Sequence, residues 1–219
     1  MDPANTNQPN DPLGVLKKFV RRKRPVETCE LCSQELWPEH PHVLELASRK
    51  LLCTCDGCAL LFSSQSNPKY RRVPRQVRLL ADFRLSDDEW EGLMIPINMA
   101  FFFKNSLRST VAALYPSPAG ATESFLTLET WGEIVLNNPI LNEMEPDVEA
   151  LLVNRVAQAR GAGEAEYFLL PIDECYRLTG TIRRSWRGLS GGTEAWQEIG
   201  NFFKELRSKA MVVREERYA

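Results

Sequence analysis

Two Cys-x-x-Cys pairs, Cys29 with Cys32 in "CELC" and Cys55 with Cys58 in "CDGC", are separated by the 22 residues 33–54. Within each pair the chain must turn, which lets both thiols reach one metal ion and leaves backbone N–H groups free to hydrogen-bond sulfur. Two such pairs complete a tetrahedral set. Five of the six cysteines fall between residues 29 and 58, and the arginines of "FVRRKRP" are followed by polar sequence and not by an apolar signal segment. Metal ligation in a reducing compartment is therefore expected in preference to disulfides, with the cytoplasm as the address.

The segment between the pairs suits a hairpin. "QELWPEHPHVLEL" has Pro38 and Pro41 at its turn, and "HVLEL" and "SRKLL" read as the strands. "CDGCALLF" then places Cys55 at a helix cap and Cys58 in the first turn, an arrangement that resembles a treble-clef or zinc-ribbon finger. Zinc is the expected ion, because closed four-thiolate sites in small modules are structural; iron is the alternative. Spacing leaves Cys53 spare. In an extended "KLLCTC", however, Cys53 and Cys55 point to the same side, so Cys53 stands as an alternative ligand. So does His42, or His40, since zinc also accepts three cysteines and one histidine.

Around this module the chain divides into a polar, Pro- and Asn-rich tail and basic arm at 1–27, the cysteine module at 28–62, a linker at 63–78 and a larger domain at 79–219. In the larger domain "LSDDEWEGL" carries a capping box, Ser86 three residues before Glu89, and "INMAFFF" and "STVAALY" read as a buried antiparallel hairpin. "TLETWGEIVLNN" and "EPDVEALLVNRVAQA" show helical spacing, and "AEYFLLPI" reads as a strand. Two further helices follow. "DECYRLTGTIRRSW" sets Cys175, Leu178, Thr179, Ile182 and Trp186 on one face, and "TEAWQEIGNFFKELRSKA" buries Trp196, Ile199, Phe202, Phe203 and Leu206. The expected class is α+β: a finger, then a small antiparallel sheet packed by helices on one side.

A net charge of -2 selects no partner, and no run of about eighteen apolar residues suggests a membrane span. The six positive charges of "GVLKKFVRRKRP" read as a solvated arm, with a nucleic-acid-binding regulator as the alternative they would serve. Cys175 stands beside Asp173 but belongs to an apolar helix face, and the only histidines, His40 and His42, lie in the finger, so no base is evident and catalysis is not expected. "YPSPAGATES" matches no phosphate-loop pattern and reads as a strand-to-helix loop. "RRSWRGLSGG" combines Arg183, Arg184 and Arg187 with an aromatic and a flexible break, features suited to a protein partner.

Together, "CELC", "RKLLCTCDGCALLF", "YRRVP", "IPINMAFFFKNS", "YPSPAGATES", "PDVEALLVNR", "PIDECYRLTGTIRRSWRGLSGG" and "FFKELR" resemble an uncharacterised bacterial domain-of-unknown-function family. The resemblance implies genes that tend to lie beside those of nickel-iron hydrogenases. The resemblance runs from about Cys29 to Leu206 and implies an accessory role with hydrogenase subunits or maturation factors as partners; it carries no activity.

Because the first residues hold too few apolar side chains to build a core, removal of residues 1–24 is expected to leave the melting temperature of the chain nearly unchanged in a thermal denaturation scan.

Overall fold

The computed structural model describes residues 26–64, 69–124 and 128–214. The tail and basic arm, up to residue 25, lie outside the described residues. Strand β1 (His42–Glu45) is shared between two hydrophobic cores. Successive strand side chains face opposite ways, so Val43 packs with Leu52 and Ala59 in a small cluster of the cysteine module, while Leu44 enters the main core. Both are fully buried. β1 lies between β2 (Lys50–Cys53) and β3 (Tyr70–Arg72), antiparallel to each, with His42 opposite Cys53 and Val43 opposite both Leu52 and Arg72. Helix α1 (Asp56–Ser63) follows β2. A loop was expected throughout 63–78; β3 forms there because its backbone pairs with the edge that β1 would otherwise leave open.

The main domain is built on a seven-stranded sheet. Its strands are β4 (Arg78–Leu80), β5 (Met99–Asn105), β6 (Thr110–Ser117), β7 (Gly120–Ser124), β8 (Glu149–Asn154), β9 (Glu166–Pro171) and β10 (Met211–Val213), in the order β10-β4-β9-β8-β5-β6-β7. All neighbours are antiparallel except β10 and β4. The class is α+β, as expected, but the sheet is neither small nor covered on one side. Phe101, Phe103, Leu152, Phe168 and Leu170 face a core completed by α5 (Ile172–Ser185) and α6 (Gly192–Lys209). Their neighbours Phe102, Leu151, Val153 and Leu169 face the opposite core, with Trp90 and Leu93 at α2 (Asp87–Gly92), Trp131 and Ile134 of α3 (Leu128–Asn137), and Leu141 of the 3-10 turn Pro139–Glu143.

This two-sided burial explains the largest misreading. "EALLVN" was expected to be helical and is instead β8, every residue buried; only Val156–Ala159, α4, is helix. A central strand covered on both faces loses the alternation that marks a strand, and its apolar run imitates helical spacing. "YPSPAGATES" is not a strand-to-helix loop either. It forms the tight turn from β6 to β7, where Gly120 takes φ +124, a backbone angle that a side chain would strain. The Ser86–Glu89 capping box, the β5–β6 hairpin, β9 and the helices α3, α5 and α6 form where the sequence placed them. Trp196 is only half-buried, and Trp186 caps α5 from just beyond its last turn.

The module is fastened to the sheet by a buried carboxylate as well as by Leu44. Asp147, whose side chain is 1% exposed, accepts a hydrogen bond from Arg49 Nη1 at 2.8 Å and one from the Ser106 N–H at 3.1 Å. Arg71 Nε lies 3.6 Å from the same carboxylate, and the Arg49 guanidinium stacks 4.2 Å above Phe103. Removing one partner of a buried pair costs roughly 3–5 kcal/mol, and truncating a buried leucine costs about 2–5 kcal/mol. Asp147→Ala and Leu44→Ala are each expected to lower the unfolding free energy of the whole chain by that much, measured by denaturant titration, whereas Leu189→Ala at a fully exposed position should leave it unchanged.

Candidate metal centre

The first cysteine pair turns tightly. Ser33 adopts φ +64, its N–H donates to the Cys29 carbonyl at 2.8 Å, and the Cys29 N–H donates to the Gln34 carbonyl at 2.7 Å. This turn is tied to the second hairpin strand: the Glu30 N–H donates to the Cys53 carbonyl at 2.9 Å, and the Glu30 carboxylate accepts from the Cys53 N–H and from Lys50 Nζ, each at 2.8 Å. The second pair opens α1 as the sequence suggested. Cys55 is the N-cap, its sulfur accepting from the Cys58 N–H at 3.5 Å, and Cys58 lies in the first turn.

Cys29, Cys32, Cys55 and Cys58 bring their sulfurs within 4.8 Å of one another, with Cys32 and Cys55 Sγ 3.7 Å apart. Four thiols this close can hold a metal ion. Their electrostatics favour one. Burial pushes the Cys29 thiol up, but backbone N–H groups of Cys55, Leu31 and Cys32 outweigh it and lower the thiol to about 6. Cys58 is driven upward, first by burial and then by hydrogen bonds with the sulfurs of Cys32, Cys55 and Cys29. One thiolate thus forms readily, while the next is opposed by the charge already present; a bound cation removes that opposition.

The alternative ligands Cys53 and His42 fall in a separate group with His40, again within 4.8 Å. His42 reaches beyond the cysteine module, since its Nδ1 lies 2.7 Å from Asp173 Oδ2 at the start of α5. The sequence reading set Asp173 beside Cys175 with no histidine in reach; the fold brings one across 131 positions. No periodicity or spacing could have signalled that contact. Cys175 itself is fully buried in the main core, and burial raises its thiol well above the ordinary value, as suits a packing residue.

Arg183, Arg184 and Arg187 are exposed around the end of α5, and among the described residues none has an acidic partner. Arg187 donates to the carbonyls of Arg184 and Trp186. Gly191, at φ +86, lets the chain pass the Trp186 ring so closely that an added Cβ would sit 2.9 Å from it. The loop after this helix and the β6–β7 turn, separate features in the sequence, meet at one cavity of about 690 Å³ lined by Tyr115, Pro118, Trp186, Leu189 and Trp196. Among the described residues no helix is long and apolar enough to cross a membrane.

Residues 28–210 match the model of a family of unknown function, DUF5947. The chain belongs to that family. The matched span takes in all four clustered cysteines, the His40–His42–Cys53 group and both cores, and stops short of the tail and the basic arm. No curated protein and no solved structure matches the chain.

Metal held by thiolates competes with protons, so affinity falls as pH falls. A bound ion favours the thiolate form of all four sulfurs, so protons displace it only as the pH falls. Metal is expected to be retained at neutral pH and lost progressively on acidification, followed with a chromophoric chelator.

Proposed function

We propose that the protein is a non-catalytic zinc-binding accessory factor, in which Cys29, Cys32, Cys55 and Cys58 hold a structural zinc ion and the larger domain supplies a protein-docking surface. The observation that carries the zinc reading is the closed set of four thiols within 4.8 Å, built from two turns whose N–H groups stabilise sulfur charge. A site with four protein ligands has no open position for substrate, which suits structure better than catalysis. The division into a finger at 28–62 and a larger domain from residue 79 belongs to the same reading, with Leu44 and Asp147 joining the two.

We assign the partner surface to Arg183, Arg184 and Arg187, exposed residues on either side of Trp186 in the sequence; Trp186 itself lines the cavity with Trp196, and arginine with tryptophan is a combination common at protein interfaces. The resemblance to a family encoded beside nickel-iron hydrogenases makes hydrogenase subunits or their maturation proteins the partners to test, in the cytoplasm.

Elemental analysis of the purified protein should find zinc, lost in Cys29→Ser, Cys32→Ser, Cys55→Ser and Cys58→Ser together with the folded module. Structural zinc contributes on the order of 10 kcal/mol to folding such modules. A coloured, iron-containing protein would move the reading to electron transfer. Affinity capture from the native cell should recover hydrogenase subunits or maturation proteins, and Arg184→Glu with Arg187→Glu should weaken capture without lowering zinc content. A deletion strain with fully mature, fully active hydrogenase would overturn the accessory role.

A further inference from the structure

The group formed by His40, His42 and Cys53 is unexplained by the four-cysteine centre. Strand register creates it: His42 and Cys53 are directly opposed across β1 and β2, and the His40 ring stands edge-on to the His42 ring, with centroids 5.1 Å apart. Each imidazole has its Nδ1 engaged. His40 Nδ1 lies 2.8 Å from the Trp37 carbonyl, which can only accept, so that nitrogen carries the proton and the lone pair is on Nε2. His42 Nδ1 lies 2.7 Å from the Asp173 carboxylate, which fixes the same tautomer. A carboxylate behind the imidazole is the support that metal-ligating histidines commonly have.

The second observation is an unmet need. The His40 side chain is only 7% exposed, and its Nε2 is buried without a hydrogen-bond partner. Asp173 Oδ1 is likewise buried and unpartnered. One ring nitrogen of each imidazole and the thiol lie within 4.8 Å of one another, and the single S–H proton can serve only one nitrogen. A cation would serve both nitrogens and the sulfur together.

We propose that His40 Nε2, His42 Nε2 and Cys53 Sγ form a second metal site, for a borderline-soft divalent transition ion of the zinc, cobalt or copper class. Imidazole and thiolate together select such ions over magnesium or calcium. Three protein ligands leave a fourth position open to water or an added ligand, the arrangement that distinguishes reactive zinc sites from closed structural ones. Asp173 is a positioning residue that orients His42. The site draws on none of the four clustered cysteines and does not depend on the zinc reading of that centre.

The test uses the whole purified protein with its tightly held zinc in place, dialysed free of weakly held ions and titrated with Co²⁺, since zinc is spectroscopically silent. One cobalt ion per chain should bind and give a thiolate-to-cobalt charge-transfer band, which Cys53→Ser abolishes. His42→Ala should remove or greatly weaken binding, and Asp173→Asn should raise the cobalt Kd by about 10–100-fold while retaining the band. Two zinc ions per chain as isolated, falling to one in Cys53→Ser, would be the same result for a tighter site. Should His42→Ala fail to fold by circular dichroism, the near-isosteric Cys53→Ser decides. Absence of a cobalt band in the wild type with a single zinc per chain, or a band unchanged in Cys53→Ser, overturns the proposal. Failure of the four-cysteine reading would look different: Cys58→Ser would leave the zinc count unaltered.

Discussion

Asp147 is the constraint on which the placement of the cysteine module depends. A carboxylate this deeply buried is tolerable only if paired, because its desolvation costs several kcal/mol. Its partners come from both sides of the junction: Arg49 at the β1–β2 turn, Arg71 in β3, and the backbone N–H of Ser106 after β5. Arg49 and Asp147 both adopt left-handed backbone angles, φ +59 and φ +72. Each such angle costs on the order of 1–3 kcal/mol in a residue with a side chain. The ion pair and the stacking of Arg49 on Phe103 oppose that cost, and together they fix the angle at which the hairpin meets the sheet.

That angle determines what the cysteine module can touch. With Leu44 in the main core and Arg49 on Asp147, the opposite end of β1 is directed to the start of α5, and His42 meets Asp173. The adjacent pairing of β1 with β2 then sets Cys53 beside His42, while Thr54, fully buried and bonded to the Pro41 carbonyl, separates Cys53 from Cys55. Cys53 at the end of β2 and Cys55 at the cap of the next helix therefore belong to different clusters. The four thiols gather at the turns on one side of this end, and the two imidazoles gather with the remaining thiol.

The cysteine cluster was legible because its signal is local: ligand spacing, a cap and a turn are written within a few positions of each other. Cys55 as N-cap and Cys58 in the first turn follow from "CDGC" with no knowledge of the rest of the chain. Amphipathic α5 and α6 were legible for the same reason. The strand β8 was not, because burial on both faces erases alternation and leaves an apolar run that either periodicity can claim. Nor was the role of Asp173, which is an ordinary acidic residue in a first helical turn until a hairpin from the other end of the chain arrives. Long-range pairing of polar side chains has no period, and sequence spacing carries no trace of it.

Helix α5 connects the two parts of the molecule that carry unexplained chemistry. Its first turn offers Asp173 to His42, and its last turn carries the exposed Arg183 and Arg184, next in sequence to Ile182, which lines the cavity with Trp186 and Trp196. Between them Cys175, Leu178 and Ile182 are locked into the core against the sheet, so the helix can move only as a rigid unit. A change in the position of Asp173, such as an ion drawing His42 would produce, is resisted by that packing and is more readily absorbed in the hairpin, where Trp37 is exposed and His42 and Cys53 are only partly buried. The mechanically compliant side of the second cluster is thus the hairpin, and the rigid side is the helix packed on the seven-stranded sheet.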